Sequence, residues 1–165
     1  MHQATICFIL LLMNVMDGHD STHFTSGLRV LLAERRPDVR SALKLALEEL
    51  LRFEVDAEVT SLDELGEKLR CQCPELLLLD WGLAGRRAVR ALLKIRTTCP
   101  GIRIIVIDNN EEIRQRALKA GADDFVSKGS LPKRLVEVLG VYGRKDYRET
   151  ANRENEMRGL DVVEP

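Results

Sequence analysis

Three acids and one lysine in this 165-residue chain each stand at the end of a short apolar segment. Asp80 ends the four leucines at 76–79, and Glu34, Asp108 and Lys128 follow similar segments. A continuous apolar run between turn signals is typical of a strand buried on both faces, usually in a parallel sheet. Parallel strands share one carboxyl edge, where ligands bind in open α/β sheets, so we expect these four groups to converge there.

Asp80 alone would leave a second interpretation open. An aspartate between a strand and a helix is also a common N-cap, with no chemical role. Four polar groups, each at its own strand end, favour a site over a cap.

The elements that position these groups alternate regularly along the chain. Residues 29–34, 53–59, 76–80, 103–108 and 124–127 have strand patterns, and a segment with helical spacing follows each of them. The second strand alternates apolar and acidic residues, which predicts an edge strand with one wet face. Ser61 and Glu64 have capping-box spacing, and Gly121 suits a left-handed helix cap. Repeated βα units imply parallel strands with right-handed crossovers, hence a three-layer α/β/α sandwich.

Composition narrows the function. A hydrophobic content of 45% and a charged content of 31% are those of a globular domain. The net charge of -1 and the 4% of aromatic residues argue against nucleic-acid binding.

We expect one domain at 28–142, an N-terminal extension at 1–27 and a polar tail at 143–165. The apolar run Ile6–Met13 is too short to span a membrane and lacks signal-peptide features, so it is either a docked helix or a stretch upstream of a start at Met16.

The cysteines Cys7, Cys71, Cys73 and Cys99 do not have zinc-site spacing, and we expect reduced thiols in a cytoplasmic protein. His19 and His23 lie in a polar stretch that is typical of unstructured surface rather than of a metal site.

Residues 28–142 resemble the receiver domain of bacterial two-component response regulators. Asp80 matches the aspartate that accepts a phosphoryl group, and Lys128 matches the lysine that pairs with the phosphoryl oxygens. Phe125 matches the aromatic that reorients on activation, and the flanks Gly121-Ala122-Asp123 and Lys128-Gly129-Ser130-Leu131-Pro132 are similar too. The resemblance implies a flavodoxin-like, doubly wound fold with a five-stranded parallel sheet in the order 2-1-3-4-5.

The chain departs from the family at the metal site. Glu34 fills the first of two acidic positions that hold Mg²⁺, but Arg35 occupies the second, and Asp108 stands where a Thr or Ser hydroxyl is usual. An arginine repels Mg²⁺ and removes an oxygen ligand, so the site held by Glu34 and Asp80 is predicted to be weak or absent. An ionised Asp108 would oppose a phosphoryl group, unless it supplies its carboxylate to a displaced metal. We predict that Arg35, alongside Lys128, replaces the metal as the cation of the pocket.

These features leave two signalling interpretations. One is a stand-alone receiver that accepts phosphate at Asp80, with no enzymatic activity beyond its own phosphorylation and dephosphorylation. The other is a pseudo-receiver switched by protein binding alone. A flavodoxin-like nucleotide or flavin binder is set aside, because Glu34-Arg35-Arg36-Pro37 is unlike a phosphate-binding loop.

The resemblance also implies partners. They are a sensor histidine kinase or phosphotransfer protein, and a downstream protein or second copy bound at the face of the fourth helix, last strand and fifth helix. The basic cluster Arg86, Arg87 and Arg90 is typical of a solvated helix face and would also suit an acidic partner.

Overall fold

The computed structural model describes residues 28–51, 53–131 and 133–140. Within them, five strands form one parallel sheet in the order β2-β1-β3-β4-β5, as predicted. The strands are β1 Arg29–Ala33, β2 Glu54–Val59, β3 Leu76–Asp80, β4 Arg103–Asp108 and β5 Asp124–Ser127. The predictions for Ile6–Met13, for the two histidines and for the tail at 143–165 concern residues outside this described part.

Helices connect the strands on both faces of the sheet. They are α1 Pro37–Leu45, which continues as a π-helical turn at Ala46–Leu50, α2 Leu62–Cys71, the short α3 Trp81–Ala84, α4 Ala88–Thr98, α5 Glu111–Lys119, and α6 at 133–140. A 3-10 turn at Gly85–Arg87 joins α3 to α4, so the chain is helical directly after β3. None of the described helices has the length and apolar character to cross a membrane.

Alternate side chains of the strands fill two separate cores. Leu77 and Leu79 of β3 pack with residues of α2, α4 and α5 on one face. Leu76 and Leu78 pack with residues of α1 and α6 on the other face. Every residue of β3 is buried, so the strand that carries Asp80 is held rigidly from both sides.

Two local features that the sequence predicted, a helix N-cap and a left-handed glycine, are present in the structure. The Ser61 hydroxyl accepts a hydrogen bond from the Glu64 amide at 3.2 Å, which caps α2. The Glu64 carboxylate accepts its reciprocal bond from the amide of Thr60, at 2.7 Å, rather than from Ser61 itself. Gly121, with φ of 102°, takes the left-handed conformation after α5 that a glycine allows.

The prediction of reduced thiols was wrong for Cys73 and Cys99, which form a disulfide with a Cα–Cα distance of 5.7 Å. Cys73 lies just before β3 and Cys99 just after α4, so both are at the amino edge of the sheet. The sequence does not indicate this proximity, because the two cysteines are 26 positions apart. Cys71 is exposed and free.

Candidate functional site

Three of the four predicted groups meet at the carboxyl edge of the sheet. The ammonium Nζ of Lys128 lies 2.7 Å from Oε2 of Glu34 and 2.9 Å from Oδ1 of Asp80. Glu34 and Asp80 are the buried charged residues of the described domain, at 1% and 7% exposure. One lysine therefore bridges two buried carboxylates.

The sheet register produces this convergence. Glu34 directly follows Ala33, which pairs with Leu79 of the adjacent strand, so Asp80 comes one step later on that strand. Lys128 directly follows β5, and its side chain reaches back to the β1–β3 side. The three groups are far apart in sequence but occupy the same level of the sheet edge.

Lys128 is held in its charged form. Burial by itself would lower the pKa of Lys128, but hydrogen bonds with Glu34 and Asp80, together with their charges, outweigh it and raise the pKa above its ordinary value. The lysine is therefore a fixed cation in the pocket at neutral pH.

Both carboxylate oxygens of Glu34 are engaged. Oε2 accepts from Lys128, and Oε1 accepts from the backbone amide of Arg36 at 2.9 Å. The turn after β1 thus fixes the carboxylate, which in turn orients the lysine.

The two carboxylate oxygens of Asp80 have different neighbours. Lys128 bonds Oδ1, while Oδ2 lies beside Gly82, where an added Cβ would come within 3.1 Å of it. Such a contact is tighter than ordinary van der Waals packing, so a side chain at 82 would crowd this oxygen. The glycine therefore leaves room beside Oδ2 that a larger residue would take.

Comparison with known proteins identifies the family. Residues 30–140 match the response regulator receiver domain family. The chain belongs to that family. Receiver domains are signalling modules of two-component systems, and phosphorylation of an aspartate is typical of them.

Its relatives support the same assignment. The chain is 30% identical over 138 residues to the phosphate regulon transcriptional regulatory protein PhoB of Escherichia coli, covering 81% of this chain and 59% of that protein. It is 38% identical over 105 residues to a protein-glutamate methylesterase/protein-glutamine glutaminase of Paramagnetospirillum magneticum, covering 61% of this chain and 30% of that one. The chain thus spans about three fifths or less of these relatives.

A solved structure shows the same fold. The response regulator receiver domain protein (CheY-like) from Methanospirillum hungatei aligns with a TM-score of 0.64 and 24% identity, over 75% of this chain and 99% of that one. At this identity the likeness concerns the fold alone.

Receiver domains commonly bind Mg²⁺ at the phosphorylation site, and the residues of this chain do not fit that ion. Arg35 stands where the resemblance places the second acid of the family, and both oxygens of Glu34 are already bonded. The described residues hold no group of three acidic, histidine or cysteine side chains suited to a metal. A cation at this point would compete with the Lys128 ammonium for the same oxygens.

Two predicted site residues form no ion pair with this cluster among the residues that the structure describes. Asp108 is half-buried, and its carboxylate accepts a hydrogen bond from the Asn110 amide at 2.8 Å, within its own loop. Arg35 has an exposed side chain. The prediction that Arg35 joins Lys128 as a cation of the pocket is therefore not supported for Arg35, whereas Lys128 pairs with both acids.

Other residues near the site were not found from the sequence. The Arg116 guanidinium lies 5.7 Å from the ring centroid of Trp81, the buried residue after Asp80. No pattern in the sequence indicates that α5 contacts Trp81. Phe125, matched to the switch aromatic, is buried in the core shared with α4 and α5.

Proposed function

We propose that this receiver domain accepts a phosphoryl group on Oδ2 of Asp80 and that Lys128 is the resident cation for the transfer. The observation that carries the proposal is the asymmetry of Asp80, whose Oδ1 is bonded to Lys128 while Oδ2 lies beside Gly82. A carboxylate fixed through one oxygen can attack phosphorus with the other, and phosphoryl transfer depends mainly on such positioning and charge stabilisation.

The chemistry balances with a phosphorylated histidine as donor. A bond forms between Oδ2 and phosphorus while the phosphorus–nitrogen bond of the donor breaks, and the imidazole leaves with the electron pair. Lys128 has three N–H donors, of which two reach Glu34 and Asp80, so one is available for a phosphoryl oxygen. Water attack on phosphorus later returns the carboxylate and inorganic phosphate.

The proposal extends to partners and place. The donor is a sensor histidine kinase or a phosphotransfer protein, and the output face is α5, β5 and α6, used by a downstream protein or a second copy. We further propose a cytoplasmic role without nucleic-acid contact by the described domain, and no catalysis beyond phosphorylation and dephosphorylation of Asp80. These statements are supported by family membership.

Intact-mass measurement after incubation with acetyl phosphate tests the proposal, with and without Mg²⁺ or EDTA. We expect a slow, partial gain of one phosphoryl group that is the same in all three conditions and absent in Asp80→Asn. Asp63→Asn, an exposed acid on α2, is the matched control and should still gain the group.

A gain that survives Asp80→Asn would refute Asp80 as acceptor. A rapid, stoichiometric gain that requires Mg²⁺ would refute Lys128 as the resident cation. The absence of any gain, with acetyl phosphate or with phosphohistidine donors, would favour the pseudo-receiver.

A further inference from the structure

The outer face of α4 exposes apolar side chains. Ala88, Leu92 and Ile95 turn inward and are buried. On the other side, Val89 and Leu93 are 37% and 55% exposed, and Leu93 is the most exposed large apolar side chain in the described part of the chain. Because they are four residues apart, Val89 and Leu93 are neighbours on the helix surface.

Basic residues surround this apolar pair. The sequence between Asp80 and Asp108 contains no acidic residue, and its six basic residues are Arg86, Arg87, Arg90, Lys94, Arg96 and Arg103. The first four are exposed, at the start of α4 and along it. A chain with a net charge of -1 therefore concentrates positive charge on one helix.

These four cations differ from many others on the surface. Arg40 and Lys44 both bond Glu58, and Arg134 bonds Glu137. Within residues 28–51, 53–131 and 133–140, by contrast, the side chains of Arg86, Arg87, Arg90 and Lys94 form no ion pair with the chain's own acids. The described part of the chain thus does not neutralise their charge, which makes it available to a partner.

We propose that this α4 surface, made of Arg86, Arg87, Val89, Arg90, Leu93 and Lys94, docks an acidic, amphipathic segment of a partner protein. Carboxylates of the partner would pair with the four cations, and its apolar side chains would cover Val89 and Leu93. Unpaired charge around an exposed apolar centre matches the polar rim and apolar core of protein interfaces.

Other occupants match the surface less well. Nucleic-acid phosphates would satisfy the cations but not Val89 and Leu93, and the aromatic residues that the structure describes (Phe53, Trp81 and Phe125) are all buried, so none offers a stacking surface. A membrane surface favours a wide apolar face, whereas the inner side of α4 is packed in the core.

The surface lies close to the site in sequence and on a different helix from the proposed output face. Arg86 comes six positions after Asp80, through the helical segment that begins at Trp81. A partner bound at α4 would therefore contact the segment that leads directly out of the acceptor pocket, without occupying α5, β5 and α6.

The test uses a synthetic peptide of about 20 residues made of leucine, glutamate and aspartate, with leucines at helical i, i+3, i+4 and i+7 spacing. We expect saturable binding by fluorescence anisotropy to the full chain. Lys94→Glu should weaken it about threefold, and Leu93→Ser about tenfold. The matched controls are Lys133→Glu on α6 and Leu45→Ser on α1, both exposed residues away from α4, and they should bind as the native chain does.

Three outcomes would overturn the proposal. Equal weakening by Lys94→Glu and Lys133→Glu would show general charge attraction rather than a site. Equal binding of polyglutamate without leucines would remove the role of Val89 and Leu93. Tighter binding of duplex DNA or anionic vesicles than of the peptide, lost in Lys94→Glu, would assign the surface to another class of partner. Unchanged thermal melts of the variants would exclude misfolding as the cause.

Discussion

The ammonium of Lys128 lies 2.7 Å from the Glu34 carboxylate, and that carboxylate is 1% exposed. An ion pair this deeply buried costs desolvation energy, so removal of one partner leaves a charge that water cannot reach. Asp80 shares the same ammonium, and the lysine thus neutralises two carboxylates that would otherwise repel each other.

Replacement of Lys128 by methionine is therefore expected to destabilise the domain by about 3 kcal/mol, because two buried carboxylates lose their cation. Urea unfolding followed by circular dichroism measures this loss. Lys133→Met, on the exposed side of α6, should change the free energy of unfolding by no more than about 0.5 kcal/mol. Equal stability of the two variants would show that the bridge contributes nothing to folding.

The ion pair between Lys128 and Glu34 also predicts how the stability of the fold changes with pH in the alkaline range. The folded-state pKa of Lys128 is raised because hydrogen bonds to Glu34 and Asp80 outweigh its burial. A raised pKa stabilises the fold fully below the unfolded-state pKa, about 10.4, and this contribution disappears as pH rises through the folded-state pKa. The stability difference between the native chain and Lys128→Met should be constant near neutral pH and shrink above about pH 10. A difference that grows with pH would contradict the raised pKa.

Magnesium titration followed by Trp81 fluorescence tests the metal site. Trp81 is buried beside Asp80, so its emission should report on the pocket. We expect no saturable response in the native chain, because Lys128 already holds oxygens of both acids. Arg35→Asp should produce one, since it adds an oxygen ligand. Arg70→Asp, at an exposed position of α2, is the control. A saturable native response would mean that Mg²⁺ displaces Lys128.

The disulfide is predicted to contribute about 3 kcal/mol, because it closes a loop of 26 residues in the unfolded chain. Addition of a thiol reductant should lower the melting temperature of the native chain. Cys73→Ser should melt at that lower temperature with or without reductant, whereas Cys71→Ser, two positions away and also exposed, should behave as the native chain does. Titration of Cys73 as a free thiol in the native, unreduced protein would contradict the bond.

A fragment of residues 28–142 should fold by itself. All five strands of the sheet and the helices between them lie in this span. Its thermal transition should be cooperative, with a midpoint close to that of the full chain. A fragment without a cooperative transition would show that residues 1–27 or the tail complete the core.

The strands and the edge at which they end could be predicted, because buried parallel strands have continuous apolar runs that are easy to recognise in a sequence. The four leucines before Asp80 form a run without a polar residue, which is typical of a buried strand, and acids at the ends of such parallel strands lie at one edge of the sheet. The family resemblance then supplied the strand order. These predictions depend on backbone topology, which apolar patterns largely determine.

Lys128 was predicted as a cation of the pocket, but the exposure of Arg35 could not be predicted, because it depends on side-chain direction. Arg35 is next to Glu34 in sequence but exposed, while Lys128, 94 residues away, reaches the carboxylate. Asp108 likewise stands at the expected strand end but bonds the amide of Asn110. The Cys73–Cys99 bond was missed for a related reason, since the distance between a strand start and a helix end follows from packing.

Strand β2 lies at the edge of the sheet, and its exposed positions are Glu54, Asp56 and Glu58. An unpaired strand edge is a template on which other chains can add strands and aggregate. Glu58 is paired with Arg40 and Lys44, but two β2 edges that approached each other would bring Glu54 and Asp56 of both molecules together, and their repulsion opposes strand pairing between molecules. The acidic alternation along β2, which also gives the strand its wet face, thus protects the folded protein from fibril-like assembly through this edge.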